Sequence, residues 1–359
     1  VVPETNTENK LQPVSFTRLR KFLESPLQST AIHLLRLDED EEERVDKIDE
    51  PLVLERLSEW SLLRKVWDNA MTLPEKSPSS SAQPEWEELY FLQAQRMELE
   101  GELPTGIFRG AMQTRHLRIL NSWQKQLCVT LKIDWSTLKK NLRQYHLGPV
   151  QEGTFASGLT NSHPLFPALC IGNENLAEAD AKKYETKFYG KTEWWYTDES
   201  ANWHAIYFSE REGEDKSWLR HFLDVLILRT AGLLPENANI TGWCIAAEGN
   251  LKSRAIRLPA QQQARDYLFN LFQEMNAENA AVLMPVESVF TIAKENLNAE
   301  NFNQRFTEWM DDKLNSSREH KGISSQYGPV KYLKDAAYPQ NPYQLMNQRF
   351  QLFFDIFLA

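Results

Sequence analysis

Hydrophobic residues in the first 150 positions recur at the three- and four-residue spacing of amphipathic helices. The first two patterns each follow a serine suited to cap a helix, Ser15 and Ser25. Longer helical patterns come next, separated by polar stretches that contain Gly and Pro. The pattern predicts a mainly helical lobe over 14–150, preceded by a loose polar arm over 1–13.

The spacing changes after residue 150, where strand-like alternation begins. Residues 185–197 and 202–209 alternate in this way around a polar turn, which predicts a hairpin of two strands. The segments that follow predict, in order, a helix at 216–230, a strand at 240–247 and a helix at 261–275. This succession predicts an α/β core over 151–359, integrated with the helical lobe into one structural domain.

The acidic balance of the chain limits how it could meet nucleic acid. Its 359 residues carry a formal net charge of −10, whereas affinity for DNA that rests on a broad basic surface needs positive charge to replace counterions. Any contact with DNA must therefore use a local patch, or a channel whose positive charge comes from partners. The chain begins with Val1, so we expect either a piece of a longer protein or a processed product.

The three cysteines, Cys128, Cys170 and Cys244, are far apart and share no metal-ligand spacing. They fit buried thiols in a reducing cytoplasm, and with no apolar run of 18 residues we expect a cytoplasmic protein without membrane contact. No GxxxxGK[ST], GxGxxG, HExxH, CxxC or GxSxG motif occurs. A Ser–His–Asp triad stays open, because its members need not be close in sequence.

Several segments resemble known helicase–nuclease subunits. SFTRLRKFLESPLQSTAIHLLRL at 15–37 resembles the opening helices of RecB- and AddB-type exonuclease domains. Four further segments resemble the C-terminal, nuclease-like domain of the RecC family, in the right order: 49–63, 88–110, 216–232 and 332–354. The resemblance implies a restriction-endonuclease-like fold, a degenerate PD-(D/E)XK core with a central mixed sheet flanked by helices.

The resemblance also implies where the nuclease site would lie. Active domains of this type read roughly G-x-x-x-H on a helix, G-x-x-D and D-x-K on two strands, and Q-x-x-x-Y on the next helix. Their carboxylates hold Mg²⁺. The equivalent positions here, in that order, are Gly110, Glu193, Tyr207, Ser209, Arg220 and Asp224. One carboxylate ligand, Glu193, cannot offset the dehydration of Mg²⁺, and no D-x-K or E-x-K occurs between 193 and 215.

We therefore predict a domain with no catalytic residues, no metal and no cofactor. The iron–sulfur cluster of the related AddB domain needs four cysteines that tie its ends together, and the three cysteines here are near neither end.

Two sets of residues are candidates for contact with DNA. An aromatic group crowds the predicted hairpin: Trp194, Trp195, Tyr196 and Trp203. Packing of a two-sided sheet is the simpler interpretation, and a base-stacking surface is the alternative. A basic group is spread through the helical lobe: Arg109, Arg115, Arg118, Lys125, Lys139, Lys140 and Arg143. A solvated face is its default interpretation, and a phosphate-tracking surface the alternative if several point the same way.

The resemblance implies a non-catalytic scaffold and DNA-guiding domain of the RecBCD complex, exodeoxyribonuclease V, acting in double-strand-break repair and recombination. Its partners would be RecB-like and RecD-like subunits, double-stranded DNA ends and unwound single strands. Two alternatives stay open at this stage. One is an active Mg²⁺-dependent exonuclease with a migrated ligand set, and the other is a stand-alone DNA-end-binding protein.

Overall fold

A computed structural model describes residues 13–35, 54, 56–72, 86–99, 101–104, 106–148, 163–172, 186–209, 215–247, 250–277, 280–295, 297–316 and 338–357. The arm predicted over 1–13 lies outside these residues, except for Pro13.

Helices make up most of the described residues in the first half of the chain. They are α1 (Phe16–Glu24), α2 (Pro26–Leu35), α3 (Arg56–Thr72), α4 (Trp86–Leu99), α5 (Gly106–Leu131) and α6 (Trp135–Asn141). The side chain of Ser15 accepts a hydrogen bond from the backbone N–H of Arg18, at 3.1 Å, as predicted for an N-cap. Asp134 caps α6 in the same way through the N–H of Thr137, at 2.8 Å.

All the described strands except the two-residue β1 (Val14–Ser15) follow α6, and the remaining helices lie among and after them. The strands are β2 (Leu142–Gly148), β3 (Leu165–Pro167), β4 (Leu169–Ile171), β5 (Thr186–Thr197), β6 (Trp203–Ser209), β7 (Ile240–Ala246) and β8 (Leu251–Ile256). The helices are α7 (Trp218–Thr230), α8 (Gln261–Met275), α9 (Val286–Ala293), α10 (Ala299–Ser316) and α11 (Pro342–Phe357). The predicted hairpin and the helix at 261–275 are confirmed.

The strands form one mixed sheet in the order β3-β2-β5-β6-β7-β8, with β1 and β4 paired to the first half of β5. The hairpin of β5 and β6 is antiparallel, while β6 and β7 are parallel. Parallel neighbours need a crossover connection, and α7 supplies it. The predicted α/β class with a central mixed sheet and flanking helices is confirmed.

Each face of the sheet has its own hydrophobic core. Helices α3 to α6 pack on one face, against Trp194, Tyr196 and Phe208. Helices α1 and α7 to α11 pack on the other, against residues of opposite parity such as Trp195 and Ala205. The central strands are therefore buried on both sides.

Helix α7 lies at the centre of the second core. Every residue of its 13 is buried except Arg220, which is typical of a helix covered on all sides. It contacts α1, α8 and α11 as well as the sheet. Arg220 therefore marks the place where this helix approaches solvent.

The sheet draws on both predicted lobes. From within 14–150, β1 and β2 pair with β5, and α1 packs in the core around α7. The rest of that range, from α3 to α6, forms the helical layer. Among the described residues, no helix is long and apolar enough to cross a membrane.

Candidate functional site

Glu193 lies at an irregular point near the middle of the central strand β5. The pairing of β5 with β2 changes register between Gln144 and His146, opposite residues 191–194. There the hydroxyl of Thr192 accepts a hydrogen bond from the N–H of Tyr145, at 3.0 Å, and donates one to the carbonyl of Glu193, at 2.8 Å. Such irregularities re-aim side chains and are frequent next to functional sites.

A glycine three residues earlier lets a helix approach the same strand. Gly190 has φ of +144°, a conformation that side-chain-bearing residues rarely adopt. A Cβ there would lie 2.8 Å from the ring of Phe16 on α1. Gly190, which stands at the glycine position of the G-x-x-D pattern, is therefore explained by packing. Its missing side chain leaves room for Phe16, so α1 can lie beside the Glu193 site.

Two arginines hold the buried carboxylate of Glu193. Arg220 of α7 donates to Oε1 at 2.8 Å, and Arg64 of α3 donates to Oε2. Burial by itself would raise the pKa of Glu193, but the charges of Arg64 and Arg220 outweigh it and lower the pKa to about 2. The carboxylate is therefore ionised, with one counterion supplied by a helix from each of the two layers.

The ring of Tyr207 lies against the two arginines that bind Glu193. The β5–β6 register, continued by one residue beyond Trp194 and Ile206, puts Tyr207 opposite Glu193. The guanidinium groups of Arg220 and Arg64 lie over its ring, 4.7 and 5.6 Å from the centroid. Burial raises the pKa of Tyr207, so the phenol is neutral.

A third arginine approaches from α1. Burial lowers the pKa of Arg20, and the nearby charge of Arg220 lowers it further, while Glu24 and Glu193 act in the opposite direction. Its Nε lies 3.5 Å from Glu24 on the next turn. We call Glu193, Tyr207, Arg20, Arg64 and Arg220 the arginine cluster.

A second buried carboxyl adjoins the cluster with the opposite pKa shift. Asp224 of α7 accepts a hydrogen bond from the backbone N–H of Glu193 at 2.7 Å, which ties the helix to the strand. Burial, followed by the charge of Glu193, raises the pKa of Asp224 well above its ordinary value. Burial also lowers the pKa of the neighbouring His221 to about 4, and its Nε2 lies 3.2 Å from the carbonyl of Trp243.

The structure brings together most of the positions matched to the nuclease pattern. Glu193, Tyr207 and Arg220 are in contact, and Asp224 is bonded to the same strand. Ser209 is set apart: its hydroxyl lies 3.4 Å from that of Ser217, at the start of α7. Gly110 is exposed near the start of α5, with open space where a Cβ would be.

The donor set of the cluster does not fit a divalent cation. Hard carboxylate and carbonyl oxygens suit Mg²⁺, whereas here the guanidinium groups of Arg64 and Arg220 bind the carboxylate of Glu193 and the charge of Arg20 lies nearby. Among the described residues, no three His, Cys, Asp or Glu side chains are grouped so that they could hold a metal ion. A carboxylate neutralised by arginine stands at the position implied for a metal ligand.

The hypothesis of an aromatic base-stacking surface on the hairpin needs correction. Trp194, Trp195 and Tyr196 are buried, and they alternate between the two cores. Trp203 is partly buried and has its ring against Tyr145 and Trp195. These rings are taken up by packing on both faces of the sheet, so they offer no open stacking surface.

Six of the seven basic residues fall into two groups, and the seventh, Lys125, is exposed on α5 between them. Arg109 pairs with Glu98 at 2.5 Å and Arg115 with Glu59 at 3.1 Å, while Arg118 is exposed on the same helix. These three lie in the first half of α5.

Lys139, Lys140 and Arg143 follow the far end of α5, about 20 Å along the helix from Arg118. The guanidinium of Arg143 donates to the carbonyls of Lys140 and Leu142. Most of the guanidinium groups in the two sets have partners within the chain.

Sequence reasoning missed Arg64 and Arg20, which complete the arginine cluster. Arg64 lies 129 residues from Glu193 and interrupts an apolar run, Leu62-Leu63-Arg64-Lys65-Val66-Trp67. A charged residue between buried neighbours could indicate a buried ion pair, but Lys65 lies between the same neighbours, so the sequence does not single out Arg64. Only the packing of α3 over β5 distinguishes them.

No protein-family model matches the chain, and no curated protein is significantly similar to it.

Proposed function

We propose that this chain is a nuclease-like domain of the RecC type, which scaffolds a helicase–nuclease complex and guides DNA without cutting it. The observation that carries the proposal is the arginine cluster. A fold that keeps a carboxylate on the first strand of the hairpin has surrounded it with guanidinium groups in place of a metal. RecB-like and RecD-like subunits and DNA ends would be its partners.

The topology supports a degenerate restriction-endonuclease-like core. An antiparallel hairpin of β5 and β6, a crossover helix α7 and a parallel strand β7 follow one another, with β2 antiparallel on the other side of β5. The positions matched to the nuclease pattern on β5, β6 and α7 lie in this unit. A likeness of arrangement does not carry an activity, so the argument rests on the site itself.

The chemistry of the cluster supports the absence of cleavage. Metal-dependent nucleases use the cation to polarise the phosphate and to generate hydroxide. For Glu193 to bind Mg²⁺, it would first have to lose Arg64 and Arg220, which lower its pKa to about 2. Neither Tyr207 nor the distant Ser209 supplies a second charged ligand.

An apolar surface on the helical layer supports binding to a protein partner. Five of the eight large hydrophobic side chains that are exposed in the described part lie within 91–108: Phe91, Leu92, Leu99, Ile107 and Phe108. Leu99 and Ile107, at facing ends of α4 and α5, are 90% and 83% exposed. Concentrated apolar exposure of this kind is typical of interaction surfaces.

The first experiment tests for cleavage. Purified protein is incubated with linear single- and double-stranded DNA in Mg²⁺ or Mn²⁺, and we expect no products. A variant with the nuclease residues restored, Tyr207→Asp with Ser209→Lys, should also stay inactive while Arg64 and Arg220 hold Glu193. Cleavage by the unmodified protein that Glu193→Ala abolishes would overturn the proposal.

The second experiment tests the partners. The protein is mixed with RecB-like and RecD-like subunits and analysed by size exclusion, and we expect a complex with at least one of them. Leu99→Ser with Ile107→Ser should weaken it by about 10-fold or more, because each buried apolar side chain contributes roughly 1.5–3 kcal/mol. Val129→Ser, exposed elsewhere on α5, is the control. No association with either subunit would contradict the scaffold role.

A further inference from the structure

A cavity of about 870 Å³ opens between α8 and α11, and none of its described lining residues belongs to the arginine cluster. Its volume is within the range of pockets that bind small molecules. Its walls come from α8, from α11 and the segment just before it, and from Val282. None of the described residues that line it belongs to a strand, so the cavity offers no strand edge for an extended peptide to join.

The walls are rich in carboxamide groups. Six exposed Asn and Gln side chains line the cavity: Asn270, Gln273, Gln340, Asn341, Gln344 and Gln348. Each carboxamide offers both donors and an acceptor on one planar group. Asn341 also caps α11, since its side-chain oxygen accepts from the N–H of Gln344 at 3.1 Å.

Charge in the cavity is balanced. Among the described lining residues, only Glu274 and Arg349 are charged, and they pair with each other at 2.5 Å. Arg349 is buried and lies over the ring of Phe22, 4.9 Å from its centroid. Since this arginine is already paired with Glu274 and no lysine is among the described lining residues, these walls are poorly suited to a phosphate group.

Aromatic surface is present beside the carboxamides. Tyr338 lines the cavity and is 40% exposed, so part of its ring is open to a flat ligand. Tyr267 is fixed, with its hydroxyl donating to the backbone carbonyl of Arg349. A planar ligand with several donors and acceptors on its edge matches an open ring surrounded by carboxamides.

We propose that this carboxamide pocket binds an unpaired nucleobase of single-stranded DNA. The inference rests on the proposed DNA-guiding function, and in it the domain holds the strand by a base and not by its backbone. Unpaired bases are recognised in proteins by stacking on aromatic rings and by hydrogen bonds along their edges. Asn and Gln are the side chains that pair with adenine in a bidentate way.

Fluorescence anisotropy with two labelled 12-mers tests the proposal. One is a single strand with bases and the other is an abasic strand with the same backbone. Wild-type protein should prefer the strand with bases. Asn270→Ala with Gln344→Ala should weaken that binding by about 10-fold, and Tyr338→Ala by about 5-fold or more. Gln263→Ala, an exposed glutamine of α8 outside the pocket, should change nothing.

Free ligands separate this inference from the proposed function. Protein labelled with ¹⁵N-glutamine is titrated with deoxyadenosine, and we expect shifts in the side-chain signals of Gln344 and Gln348. These shifts would support the pocket even if no partner subunit bound. Equal binding of the abasic strand, or shifts with a short alanine peptide and none with deoxyadenosine, would overturn the inference and leave the cleavage and association tests untouched.

Discussion

The arginine cluster and the carboxamide pocket handle polar groups in opposite ways. In the cluster, helices α1, α3 and α7 converge on one strand, and the ionised carboxylate of Glu193 is bound by Arg64 and Arg220. In the pocket, two helices leave an opening lined by exposed amides, and the described charged residues of its lining, Glu274 and Arg349, pair with each other. The cluster uses its hydrogen bonds internally, whereas the pocket leaves many of them accessible to a ligand.

The contrast follows from what burial costs a charged group and what exposure costs a neutral one. A buried charge must be matched by the protein itself, since an unmatched one is very costly. The match at Glu193 links α3 and α7, the helices packed on the two faces of the sheet. Exposed neutral amides bear no such cost, so the amides of the pocket need no partner within the protein and can hydrogen-bond to a ligand.

Removal of the central charge should give the largest effect. Glu193→Gln leaves Arg64 and Arg220 without their counterion, and breaking a buried pair costs about 3–5 kcal/mol. We expect that loss in the free energy of unfolding, measured with urea. Lys191→Gln, an exposed position on the same strand, should change it by less than about 0.5 kcal/mol. Equal effects at the two positions would show that Glu193 is no special link.

Acid should weaken the cluster with a defined sign. The pKa of Glu193 is about 2 in the folded protein against an ordinary value of 4.5. Its contribution is complete above pH 4.5 and is lost as the pH falls from there to about 2. The free energy of unfolding should fall by up to about 1.4 kcal/mol per pH unit in that window.

Urea unfolding at several pH values measures this slope. Glu193→Gln should have a shallower slope between pH 4.5 and 2, because the group that titrates is gone. Identical slopes for the two proteins would contradict the lowered pKa.

The approach of α1 to the cluster depends on a glycine. Gly190→Ala forces a strained backbone and places a Cβ against Phe16, so we expect a loss of about 1–3 kcal/mol in the free energy of unfolding. Gly110→Ala, a helical position with open space around it, should instead give a gain of about 0.5–1 kcal/mol. A gain at both positions would show that α1 can shift away from β5 at no cost.

The sequence predicts the elements of the α/β core well because their patterns are local. The alternation at 185–209 sets the hairpin, and the helix at 261–275 has the predicted bounds. Trp194, Trp195 and Tyr196 are consecutive, so they must point to alternate faces. Three large aromatics in a row indicate a strand buried on both sides, which favours packing over an exposed surface.

The rest of the site depends on contacts distant in sequence. Glu193 was recognisable as a candidate carboxylate, but nothing local shows that Arg64 and Arg20 would reach it from other helices. The pocket is equally non-local, since Asn270 and Gln344 each look like an ordinary exposed residue of an amphipathic helix. These amides come to line one cavity only because α11 packs beside α8.

The pocket residues should contribute least to stability, and this gives the finest test of the comparison. Asn270→Ala with Gln344→Ala removes exposed side chains, and we expect a change within about 0.5 kcal/mol in the free energy of unfolding. Circular dichroism during urea unfolding measures it beside Glu193→Gln. A loss of several kcal/mol would mean that the amides bind one another and hold α8 to α11. The pocket would then be a second internally satisfied cluster, with nothing left to offer a base.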